Sequence, residues 1–284
     1  GSEMCIRDSY STSADYTVKG TFGTFTASVD AGADARDVAS SFNLISGNTG
    51  VSATALTKAK FTVSNAATFS FTLEGKSTTT STITATITST TDLTAIKDAI
   101  NSVSGSTGIT AALTSDKSGV EITQSEGYDI IIGDVTTGST DANLVVTSMD
   151  MDGNLDSSAR TLDGDATAGD STAITGTVRL SSQNAYTISP GDGDNHFSAA
   201  TTELTAAHSS IASVSLTTKE GATKAMSVID GALLMISSIR SSMGSASNRL
   251  QSTIDNLSNI AVNAQKSLST IEDESQTIKK NKQT

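Results

Sequence analysis

This 284-residue chain has little with which to build a thick core. Aromatic residues make up 4% of it, Trp is absent, and apolar residues reach only 36%, below the usual share of a globular domain. Ser, Thr, Ala and Gly fill the space instead, which suits a thin, extended, β-rich chain better than a compact enzyme. Basic residues are outnumbered 18 to 30, giving a net charge of -12. That argues against nucleic acid as a partner, because phosphate contacts need clustered Lys and Arg, and favours a solvated, mutually repelling surface. No run is long and apolar enough to cross a membrane, and no cleavable signal peptide opens the sequence. The single cysteine, Cys5, lies in "GSEMCIRDS". That opening matches nothing downstream in composition, so residues 1–9 read as a non-native scar. Without Cys5 the chain has no thiol, which excludes a disulfide framework and a Cys-based metal site.

What the chain does have is a repeat. "ARDVASSFNLISGNTGVSATAL" (35–56) aligns without a gap on "LTAIKDAINSVSGSTGITAALT" (93–114). Asn43 falls on Asn101, Gly47 on Gly105, Thr49 on Thr107, Gly50 on Gly108 and Ala53 on Ala111; upstream, "TFTASVD" (24–30) lies over "TITATIT" (82–88). "TITATIT" alternates as a half-buried strand does. Leu93, Ile96 and Ile100 have helical spacing behind Asp92, a capping residue, and "GNTG" and "GSTG" break each helix. "ITAALT" and "GVEITQ" read as a returning hairpin. Each unit is thus expected to be a β-α-β-β module, over about 21–63 and 79–132, within an outer domain of residues 10–135. Gly50 and Gly108 are expected at equivalent turns with positive φ.

The zone 136–215 is acidic and punctuated by Gly. Asp150, Asp152, Asn154 and Asp156 alternate as calcium ligands would. Leu155 stands where an EF-hand loop needs its Gly, and Thr161 where it needs its Glu, so the loop fails on both counts. A solvated turn region is the reading that stands. "GDGDNH" (191–196) also reads as a turn, and "ITGTVRLSSQNAYTIS" (174–189) as two strands forming a hairpin. His196 and His208 lie in unlike settings, with no spaced carboxylate or thiol beside either. No catalytic, cofactor or metal site emerges, and no phosphate-binding or dinucleotide fingerprint is present.

The last third is one helical pattern, within 216–272. Ala225, Ile229, Ala232, Ile236, Ile239, Met243, Ala246, Leu250, Thr253, Leu257, Ile260, Ala264, Ser267 and Ile271 recur in steps of four and three. This is a heptad seam, which turns one face to partner helices and supercoils left-handedly. Met226, Leu233, Ile254 and Leu268 widen it as in a bundle. At 1.5 Å per residue such a helix is about 75 Å long, and its many Ser and Asn leave it in need of a partner. The fold class expected is α+β: Thr/Ser-rich modules and hairpins, then one long amphipathic coiled-coil-type helix.

Two stretches resemble a known family. "DLTAIKDAINSVSGSTGITAALTSDKSGVEITQ" is similar to the module repeated in the outer parts of flagellins and other flagellar axial proteins. "SLTTKEGATKAMSVIDGALLMISSIRSSMGSASNRLQSTIDNLSNI" resembles the carboxy-terminal core segment of bacterial flagellins, through Gly221-Ala222, Ile229-Asp230, Ala232-Leu233, Arg240, Met243-Gly244, Asn248-Arg249-Leu250, Ser252-Thr253-Ile254 and Asn256-Leu257. The resemblance implies a structural subunit of the extracellular flagellar filament, not an enzyme. Its seam would pack on amino-terminal core helices of flagellin subunits. Those helices would precede residue 1, and "SQTIKKNKQT" departs from the family's apolar terminal helix, so the expectation is a fragment with residues 273–284 as an off-pattern tail. The competing functions are a secreted, calcium-stabilised adhesin, a hook-filament junction protein, which shares part of the pattern, and a hydrolase built on the β modules.

Overall fold

A computed structural model describes residues 2–7, 13–139, 141–164, 170–190, 203–208, 216–217 and 219–282. It divides into two units, Gly1–Ala232 and Leu233–Thr284. The first holds the sheets; the second is helical as far as Asn281.

The sheet unit contains two modules, and the second is inserted into the first. The first begins with β1 (Ser2–Arg7), β2 (Ala14–Lys19), β3 (Thr24–Val29), helix α1 (Ala35–Leu44), a single turn α2 (Ser46–Thr49) and β4 (Val51–Val63). The second runs through β5 (Thr68–Glu74), β6 (Ser81–Thr86), α3 (Thr94–Ser102), α4 (Ser104–Thr107), β7 (Ile109–Leu113), β8 (Val120–Gln124), β9 (Ile130–Thr137), β10 (Asn143–Met149), β11 (Leu155–Asp163) and β12 (Thr172–Ile174). The chain then returns to the first module as β13 (Thr177–Ser182), β14 (Thr187–Pro190), β15 (Leu204–Thr205) and β16 (Ala207–His208), before helix α5 (Lys219–Asn281).

Each module has its own four-stranded sheet, β15-β14-β2-β3 in the first and β12-β9-β5-β6 in the second. Both pack on one eight-stranded sheet, β11-β10-β4-β13-β1-β16, to which β7 and β8 are joined through β4. The 13-residue β4 serves both modules. Val51–Leu56 pair with β13, Thr57–Phe61 with β8, and Lys58–Val63 with β10. Its odd-numbered residues keep to one side, as the pleat requires. Val51 and Ala53 enter a first core with Tyr16, Val18, Val38, Phe42, Leu180 and Tyr186; Ala59, Phe61 and Val63 enter a second with Phe69, Phe71, Ile96, Ile100 and Ile122. The scarce aromatics are concentrated there, Phe61 edge-on to Phe71 and Tyr16 against Phe42.

The insertion corrects the expected first module. In the second module β7 turns back into β8, with Ile109 opposite Gln124 and Leu113 opposite Val120. In the first, β4 does not turn back at residue 57. Its antiparallel partner is β13, with Val51 opposite Ser182 and Ala55 opposite Val178. Val178, Leu180, Tyr186 and Ile188 therefore stand where Val120, Ile122, Tyr128 and Ile130 stand in the second module. Residues 57–176 occupy the place of the short turn 114–119.

Two further expectations change. β13 and β14 lie in different sheets, so residues 174–189 are not a hairpin. The stretch read as loops contains the hairpin β10–β11, whose outer strand is exposed at most positions. The opening residues form β1, paired along its length with β13. The turn read at 191–196, with His196, lies outside the described residues; His208 ends β16.

Candidate assembly surface and module turns

The repeated motif is a hydrogen-bonded device. Asn43 Nδ2 donates to the Ala53 carbonyl at 2.9 Å, and the Ala53 amide donates back to Asn43 Oδ1 at 2.8 Å. Asn101 and Ala111 repeat both bonds at 2.9 and 2.8 Å. A side-chain amide thereby substitutes for a neighbouring strand and ties the end of α1 or α3 to the strand after it. Ser46 and Ser104 hydroxyls donate to the Asn43 and Asn101 carbonyls at 2.7 and 2.8 Å. Buried Thr49 and Thr107 donate to the Ile45 and Val103 carbonyls and accept from the amides of Val51 and Ile109. Gly50 (φ 75°) and Gly108 (φ 70°) follow in the left-handed region, which a Cβ disfavours.

At the helix starts the modules differ. Asp34 caps α1, accepting from the Asp37 amide at 2.9 Å. Asp92 lies one residue before the helical cap of α3 and accepts from the Thr94 amide at 3.1 Å.

The acidic turn 150–156 is occupied by its own contacts. Asp150 accepts from the Asn154 amide at 2.8 Å and from Asn154 Nδ2 at 2.9 Å, and Gly153 takes φ 92°. Asp152 is ion-paired with the buried Arg179 of β13, which joins the second module to the first. Burial of such a pair makes loss of one partner costly.

The seam lies on α5. Ala225 and Val228, in the first unit, are buried. From Ile229 onward the picture reverses. Ile236, Ile239, Met243, Leu250, Leu257, Ile260 and Ile271 are each about half to two-thirds exposed, as are Leu233, Ile254 and Leu268. Ala246 and Ala264 are exposed too, and Ala232 is partly covered. Large apolar residues exposed in one continuous stripe mark an interaction surface. Thr253 fits this stripe better than its polarity suggests, because its hydroxyl donates to the Arg249 carbonyl at 2.9 Å. The other polar seam residue, Ser267, is exposed. Arg240, Asn248 and Arg249 are exposed as well. Among the described residues no helix is long and apolar enough to cross a membrane.

The same two stretches are those that match known families. The bacterial flagellin C-terminal helical region matches residues 226–280, and the flagellin hook IN motif matches residues 68–126. The second match coincides with β5 to β8. B-type flagellin of Pseudomonas aeruginosa is 36% identical over 178 residues, which are 63% of this chain and 36% of that protein. The chain thus spans about a third of that relative's length. The flagellar cap protein FliD from Helicobacter pylori is 12% identical over 68% of this chain and 75% of the cap chain, with a TM-score of 0.22, which is too low to carry an argument. By its two family segments and its relative, the chain is similar to bacterial flagellins, structural proteins of the extracellular flagellar filament.

Proposed function

We propose that this chain is a structural part of a bacterial flagellar filament and that it assembles through the seam of α5. The observation that carries this reading is the uncovered heptad stripe between Ile229 and Ile271, lying in the segment that matches the flagellin C-terminal helical region. Partner helices from flagellin-type subunits would bury those side chains, at about 25 cal/mol per Å2 of apolar surface removed from water. The Thr-rich modules form the solvated outer surface, and the chain performs no catalysis. Filaments need head-to-tail contacts that do not close, so the seam is one of at least two interfaces. The engagement of Asp150 by Asn154 and of Asp152 by Arg179 favours this reading over a calcium-stabilised adhesin.

The test mixes the chain with an amino-terminal helical segment of a related flagellin. Helicity should rise, and Leu250→Asp should abolish the gain by placing an unpaired charge in the seam. Equal gains with and without the substitution would count against the seam.

A further inference from the structure

We propose that the joint between the two modules tightens in acid, through the opposed carboxylates of Asp34 and Asp129. The inference does not depend on the assembly reading. The chain crosses between modules twice, at Leu56–Thr57 within β4 and at Gly176 before β13. The loop between β8 and β9, carrying Gly127, Tyr128 and Asp129, packs there against the start of α1. The Arg36 amide donates to the Gly127 carbonyl at 3.2 Å, and the Thr57 hydroxyl donates to the Tyr128 carbonyl at 2.7 Å. The Arg36 guanidinium lies 4.9 Å from the centre of the Tyr128 ring. Gly176 has no room for a side chain: a Cβ would meet Thr57 Oγ1 at 2.5 Å and Ala35 Cβ at 2.6 Å.

One carboxylate from each module meets in this joint. Asp129 is half-buried; it accepts from the Gly176 amide, and its Oδ1 is buried without a hydrogen-bond partner. Asp34, the cap residue of α1, lies near enough for its charge to act on Asp129. Of the other charged groups nearby, Arg36 and Asp37 act on Asp34 in opposite directions, the Arg36 charge lowering its pKa and the Asp37 charge raising it. Arg36 bonds Asp37 at 3.0 Å on the α1 side, and Lys76 bonds Glu126 at 2.7 Å on the other. Burial first, and the Asp34 charge second, push the Asp129 carboxyl up to about 6; burial also raises Asp34.

The sign follows from linkage. An acid whose folded pKa exceeds its unfolded value of about 4 binds its proton more tightly in the folded joint. Its contribution is fully present below that unfolded value and is lost as pH rises through about 6. Below that range the proton removes the charge from a buried carboxyl whose Oδ1 has no hydrogen-bond partner. Above it, the Asp129 carboxylate is ionised and the contacts of Arg36, Thr57 and Gly176 hold the joint against the cost of that buried charge.

Hydrogen exchange, corrected for intrinsic rates, reads this at the amides of Arg36, Tyr128 and Gly176. Their protection should be severalfold higher at pH 5 than at pH 7.5. Asp129→Asn should remove the difference and leave protection high at both values. Asp34→Asn retains a capping side chain and should shift the midpoint downward. A carboxyl-carbon NMR titration of the unaltered chain gives the midpoint directly, whether or not the variants fold. A midpoint near the ordinary aspartate value, or an unchanged pH difference in Asp129→Asn, would overturn the proposal.

Discussion

At the scale of residues, the glycines and asparagines of the two turns separate into those the backbone requires and those it does not. Gly108 takes positive φ, and a Cβ on it would lie 3.2 Å from Gln124 Nε2 and 3.3 Å from Lys76 Cβ. Gly108→Val should destabilise the second module by about 1–3 kcal/mol, whereas Gly105→Ala should be nearly neutral, since open space surrounds it. Denaturant melts of the two variants check the contrast. Asn101→Ala leaves the Ala111 amide and carbonyl without their partner and should cost about 1–3 kcal/mol; a loss equal to that of an exposed Asn→Ala would contradict it. The alignment of 35–56 on 93–114 made these turns legible, positive φ included. It did not show Gly20 and Gly75. A Cβ on Gly20 would stand 1.8 Å from the Thr49 carbonyl oxygen, and one on Gly75 2.5 Å from that of Thr107. The loops after these glycines differ in length, so they fall out of the repeat's register. Gly75→Ala should therefore also destabilise, by about 1–3 kcal/mol of overpacking.

At the scale of elements, alternation and heptad spacing were readable wherever one face of the element is buried. The strands β3 and β6, the helices α1 and α3 and the long α5 follow the pattern of their apolar residues. β11 does not. It is the outer strand of its sheet, exposed at all but a few of its nine positions, and its "LDSSARTLD" carries charges where an edge strand carries them to resist pairing. No period marks it, so composition suggested a loop. The seam of α5 has its own consequence. A strict heptad stripe drifts by about 20° per heptad around a straight helix, so partners must wrap left-handedly to follow it from Ile229 to Ile271. Ile239→Asp and Leu257→Asp, about two and a half heptads apart, should then weaken partner binding alike. An effect confined to one of them would mean that only part of the stripe is used.

At the scale of the whole chain, the repeat is interrupted rather than tandem. The signal was present: "VRLSSQNAYTI" (178–188) and "VEITQSEGYDI" (120–130) share the Val, the branched apolar residue, the Tyr and the Ile. A search for contiguous repeats does not join 178–188 to a module that breaks off at Leu56. The insertion predicts that residues 57–176 fold alone, since their core draws its strands and helix from within that span. A chain in which the turn 114–119 replaces 57–176 should keep the first module. Cooperative melting of each piece checks this, and a structureless 57–176 would refute the nested arrangement.

The central claim, that the seam of α5 exists to be covered by other subunits, is tested most directly by hydrogen exchange over residues 229–271. The chain by itself should show little protection there, because the stripe is exposed and few buried contacts oppose local opening. With an amino-terminal helical segment of a related flagellin, protection should rise across the whole stripe and fall away in Leu250→Asp. Strong protection in the isolated chain, or none in the mixture, would contradict the account.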